Sequence, residues 1–98
     1  MMKASTKFPD WTQDEAIAYE CACETITHVI GICTAMIEEE RVMVIPNMQK
    51  ITKLNAEIKR LNDERSALDL RNHVKINQIR TEYSARVRAY NAGTPVSF

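Results

Sequence analysis

Residues 48–90 read MQKITKLNAEIKRLNDERSALDLRNHVKINQIRTEYSARVRAY, and the fold turns on this stretch. Ile51, Leu54, Ile58, Leu61, Arg65, Leu68, Asn72, Ile76, Ile79, Tyr83, Val87 and Tyr90 recur in steps of three and four. That is the period of one helix face, apolar except at Arg65 and Asn72. As far as Leu68 the steps follow a heptad; beyond it they follow an eleven-residue pattern, which relaxes a supercoil. No glycine or proline interrupts the run. One unbroken helix over about 47–91 would be roughly 65 Å long at ~1.5 Å per residue. Asn91-Ala92-Gly93, with Pro95 behind it, is a natural stop.

Upstream, Val44-Ile45-Pro46-Asn47 is the one strong interruption. Pro46 removes a backbone donor and pushes Ile45 out of the helical region, and Asn47 is suited to cap the second helix. Before it, Thr12 and Glu15 form a capping box, the entry signal of another helix. Tyr19, Cys23, Ile26, Ile30, Cys33 and Ile37, joined by Ala16, Ala22, Val29 and Met36, build a wide apolar face from there on. The spacing predicts a helix over about 12–42. Gly31, inside that pattern, marks either a close approach of another helix or a local break. Residues 1–11 read as a flexible arm and 92–98 as a flexible tail. The fold class is therefore all-α, a long antiparallel two-helix hairpin with coiled-coil-like packing. In such a hairpin the second helix outruns the first, leaving Ile79, Tyr83, Val87 and Tyr90 with nothing in the same chain to cover them.

Composition bounds the rest. The chain has 98 residues, enough for a single small domain and hardly for a core plus a deep cleft. Two glycines and three prolines leave too little turn material for a compact β fold. Three cysteines make no closed disulfide framework, and no apolar stretch follows the lysines of Met1–Lys7 as a secretory signal would require. Buried thiols in a reducing cytoplasm are the expectation. The longest apolar runs, Val29–Cys33 and Val42–Ile45, are far below membrane-spanning length. Net charge is zero but unevenly spread. Up to Asn47 three cations face eight carboxylates, a net of −5, and from Met48 ten cations face five, a net of +5. Two such halves attract if the chain folds back, and they also suit an antiparallel homodimer.

Motifs that carry chemistry are few. Cys21 and Cys23 lie about 200° apart on a helix and cannot share an ion; only Cys21 and His28 share a face. No metal or other cofactor is expected, and no activating base marks any cysteine as a nucleophile. Phosphate-binding glycine loops and nucleophile elbows are absent, so catalysis is not expected. Glu38-Glu39-Glu40 reads as a solvated helix end. Arg65 and Asn72 on the stripe are either buried register-setting polar groups or solvated where the stripe rotates outward. Arg71, His73, Lys75, Arg80, Arg86 and Arg88 are opposed only by Glu82. Such a stretch can touch phosphates, but its tyrosines lie on the apolar stripe, where they anchor a protein contact before they stack on bases. An anionic membrane surface would repel the acidic half.

The layout, one small chain of long helices, resembles small helical antitoxins and type III effector chaperones. In particular it is similar to the antitoxin-like partner of a zeta-toxin-related effector kinase. The resemblance rests on size and layout and carries no residue with it. It implies a bacterial, cytoplasmic, non-enzymatic protein that docks its long helices on a larger kinase-like toxin or effector, to neutralise or chaperone it. The alternative is a homodimeric helical scaffold or adaptor. The expected docking residues are Ile76, Ile79, Arg80, Tyr83, Arg86, Val87 and Tyr90, aromatics and arginines being the usual anchors of a contact.

Overall fold

The computed structural model describes residues 11–96, so the expected arm lies almost wholly outside the described residues. The chain is all-helical over that range, with α1 at Gln13–Arg41, α2 at Met48–Ala67 and α3 at His73–Asn91. The two-helix hairpin is thereby corrected to three helices. The long second helix breaks at residues 68–72, where Leu68 takes an extended backbone (φ −66°, ψ 127°). Two short polar side chains hold the break. The carboxylate of Asp69 accepts the Arg71 amide at 2.9 Å, and the Asn72 side chain accepts the Lys75 amide at 3.1 Å as the N-cap of α3. Bonds of this kind offer the backbone an alternative to the helix ladder, and no glycine or proline is needed. Asn72 is thus an exposed cap. The stripe keeps its phase across the break because α2 and α3 both turn it toward α1.

The packing follows from that turn. α2 runs back along the C-terminal half of α1: Lys50 reaches Glu40 at 3.4 Å, and Arg65 donates to the Thr27 hydroxyl at 2.7 Å. Arg65 also donates to Asn62, so its fork is held by neutral oxygens at the edge of the core. The connection then crosses α1, and α3 starts at the other end, where His73 meets Glu15. From there α3 runs parallel to α1 and finishes beside Met36 and Glu39. The bundle measures 62 × 22 × 22 Å. Ala22, Ile26, Val29, Cys33 and Ile37 of α1 are buried against Ile51, Leu54 and Leu61 of α2, Leu68 of the connection, and Ile76, Ile79 and Tyr83 of α3. α3 lies on α1, so the overhang expected of a hairpin does not exist.

The helix ends follow the sequence. Thr12 and Glu15 make both bonds of the capping box, at 2.8 and 3.1 Å, and Asn47 caps α2 by accepting the Lys50 amide at 3.2 Å. α3 closes in a Schellman motif: Gly93 takes a positive φ of 76°, its amide bonds Tyr90, and the Thr94 amide bonds Ala89 at 2.8 Å. By length and composition α1 is apolar enough to cross a membrane; in the bundle that apolar face lies under α2 and α3.

α1 continues through Gly31, which is exposed, and a Cβ built there meets nothing within 4 Å. The residue marks neither a break nor a close approach. Gly31→Ala is therefore expected to raise stability by about 0.5–1 kcal/mol, the helix-interior cost of glycine. Urea unfolding followed by circular dichroism measures this, and a loss of stability would show that something does pack there.

Candidate functional site

The seven residues expected to dock a partner are divided by the fold. Ile76, Ile79 and Tyr83 are buried in the chain's own core, Arg86, Val87 and Tyr90 are half-buried, and Arg80 alone is exposed. The premise for assigning them to a partner, a stripe with no cover, is removed by the turn at 68–72. Tyr90 retains a place at the surface, in a shallow depression shared with Met36, Glu39, Pro95 and Val96 near the C-terminal end of α1.

What Tyr83 and Arg86 build is a polar seam between α2 and α3. These helices each pack on α1, their backbones do not approach one another, and the polar contacts between them come from long side chains. Arg60 grips Glu57 with two nitrogens and donates to the Tyr83 hydroxyl at 3.3 Å. The Tyr83 hydroxyl donates to Glu64, whose other oxygen takes Lys75 at 2.8 Å. The Arg86 guanidinium lies 4.8 Å from the centre of the Tyr83 ring and faces Glu57 at 3.9 Å. Each acid thus touches more than one cation. The hydrogen bonds from Arg60 hold the Glu57 carboxyl below its ordinary range. At Glu64 burial pushes upward, but the bonds from Lys75 and Tyr83 outweigh it and the net shift is down. Beneath the seam, burial pushes the Cys33 thiol up to about 11, which makes it an inert apolar filler.

The feature that the bundle does not explain lies beyond the C-terminal end of α1. Between α1 and α2 the chain exposes Val42 (83%), Met43, Val44 (100%), Ile45 (85%) and Met48, five large apolar side chains in seven residues. None takes part in the core. This apolar cap is nevertheless anchored. Glu40, expected to be solvated with Glu38 and Glu39, is buried and accepts the Asn47 amide at 3.0 Å while pairing with Lys50. The Met43 amide bonds the Glu40 carbonyl at 3.1 Å. The Asn47 amide, followed by Lys50, holds the Glu40 carboxyl below its usual range. One carboxylate therefore ties both ends of the loop together. The sequence carried a signal for the cap: four consecutive apolar residues off the helical period, stopped by Pro46.

The remaining surface offers a shallow open groove between α1 and α3, lined by Cys21, Glu24, Thr25, His28, Ser84, Val87 and Arg88. Cys21 and His28 do share that face, but no hydrogen bond joins His28 to Cys21 or Ser84 among the described residues. No nucleophile and base are therefore assembled there. Among the described residues no three His, Cys, Asp or Glu side chains converge on a point that could hold a metal ion. No protein-family model, curated protein or solved structure matches the chain. Its function has to be read from this geometry.

The seam predicts a pH profile. Glu57 and Glu64 are held below the ordinary carboxyl value of 4.5, so their contribution is complete above that pH and is lost as pH falls through their folded-state values. Thermal unfolding midpoints should stay level from neutral pH down to about 4.5 and then drop. Glu64→Gln should shrink the drop and cost about 1–2 kcal/mol at neutral pH. A wild-type profile that stays level into strong acid would show that the seam contributes nothing.

Proposed function

We propose that the chain is a non-enzymatic protein-binding partner, of the antitoxin or effector-chaperone type, that docks on a larger protein to neutralise or chaperone it. The observation that carries this reading is the apolar cap. Single exposed apolar residues are ordinary on any surface, but a contiguous cluster of this size marks a contact site. The cap is also held in one shape by Glu40 and Asn47, which lowers the ordering cost of docking. Tyr90 and the exposed acids Glu38 and Glu39 lie at the same end and supply polar and aromatic rim contacts. The docking surface in this reading is the end of the bundle, not the second stripe named from the sequence.

Two variants separate binding from folding. Ile45→Glu changes an exposed side chain, so stability should stay within about 0.5 kcal/mol of wild type while capture of the larger partner from the native extract is lost. Tyr83→Ala opens the core and breaks the seam, so it should cost about 3 kcal/mol of stability. Affinity purification with mass spectrometry, run beside thermal unfolding, reads both. An Ile45→Glu variant that captures the same partner in the same yield would remove the cap from the binding surface.

A further inference from the structure

The cap exposes five large apolar side chains within seven residues, with Val42, Val44 and Ile45 each more than four-fifths exposed. Beside it the solvent-facing side of the first turns of α2 presents Met48, Gln49, Thr52 and Lys53, an open surface continuous with the cap. The projecting apolar side chains thus sit together at one end of one chain. A self-complementary two-fold contact can be built from such a patch, because each copy offers the other the same side chains.

The charges around the cap point the same way. Glu38, Glu39 and Glu40 close α1, and Arg41, Lys50 and Lys53 stand against them, so this end is neutral while carrying both signs. Glu38 pairs with Arg41 and Glu40 with Lys50, leaving Glu39 and Lys53 exposed and outside the ion pairs of the described residues. A two-fold axis normal to the plane of α1 and α2 lays the acidic end of α1 from one copy over the basic start of α2 from the other. An anionic lipid surface would instead demand a basic rim, and the exposed Glu38 and Glu39 oppose it.

We propose that a second copy of this chain covers the cap, the two bundles joining end to end with Val44 and Ile45 of each packed against Val44 and Ile45 of the other. The proposal rests on the reading of the cap as a docking surface and names its occupant when no larger partner is present. The two occupants compete for the same side chains, so binding the larger protein releases the second copy. A contact made by so few side chains per copy is at the small end of specific interfaces, which makes the dimer reversible and concentration-dependent.

Light scattering and small-angle X-ray scattering on the isolated full chain, over a dilution series, test this. The expected mass rises with concentration from 11.2 kDa toward twice that value, and the longest dimension rises from about 62 Å toward twice that length. Val44→Glu should hold the chain monomeric with an unchanged helical spectrum. Glu39→Lys should weaken the dimer severalfold, and adding Lys53→Glu to it should restore the association. A wild-type chain that stays at 11.2 kDa at millimolar concentration overturns the proposal, as does a dimer no longer than one bundle or one that Val44→Glu leaves intact. A monomeric wild type whose partner capture is still abolished by Ile45→Glu would overturn the second copy alone and leave the docking reading standing.

Discussion

The width of the apolar face on α1 governs the architecture. From Ile32 on one edge through Val29, Ala22 and Ile26 to Ile37 and the half-buried Cys23 on the other, it spans roughly half the helix circumference at about 100° per residue. A single antiparallel helix covers only part of that arc, so a hairpin would leave α1 wet along its whole length. The chain meets the requirement by dividing its second half. α2 takes the side of Ile30 and Ile37, and α3 takes the side of Cys21, Thr25 and Met36. The five-residue connection is what allows one continuous stripe to serve both.

A second consequence comes from the first. Two helices leaning on opposite shoulders of a third are held apart, and their backbones do not approach each other. Long side chains span the space between them on the side away from the shared core: Arg60, Glu64 and Glu57 from α2, and Lys75, Tyr83 and Arg86 from α3. Half-buried ion pairs contribute modestly to stability because desolvation offsets the attraction. The role of this set is alignment. Pairs such as Glu64 with Lys75 and Arg60 with Tyr83 are satisfied together at one antiparallel register, and sliding α3 by a turn would strand every one of them. The seam also absorbs much of the basic stretch that made nucleic acid worth considering, since Lys75 and Arg86 are spent on Glu64 and Glu57.

Helix content, helix ends and most of the core were legible in the sequence, because each rests on a local rule. The Thr12–Glu15 box, the Asn47 cap, the Gly93 stop and the periodic core from Ala22 to Tyr83 all depend on neighbours within a turn. The break at 68–72 was not, because Asp69 and Asn72 compete with the helix only through side-chain bonds, and the apolar period passes straight across. Arg65 and Asn72 interrupt the stripe, and such interruptions admit two readings until the tertiary partner is known. The expected docking residues depend on the same break: Ile76, Ile79 and Tyr83 look uncovered only if α3 is drawn as an extension of α2, and with α3 on α1 they are buried. The cap is visible as an apolar run, but Pro46 accounts for the helix break on its own and leaves that apolar character unexplained.

That apolar character has no role within the bundle. A connection of this length joins two antiparallel helices with polar residues as well as with valine and isoleucine, and loops ordinarily lie in water. Exposed Val44 and Ile45 lower solubility and contribute nothing to the core, so a chain selected only to fold has no reason to keep them. Nor is the loop left slack around them. Glu40 is withdrawn from solvent, at the cost of burying a carboxylate, to bind the Asn47 amide and Lys50 at the base of the cap. The apolar surface is thus displayed at one end of the bundle and braced from below, which is what the proposed docking role requires. The same brace fixes the spacing between the projecting side chains and the first turn of α2, so in the proposed role a partner would meet a preformed surface rather than a slack loop.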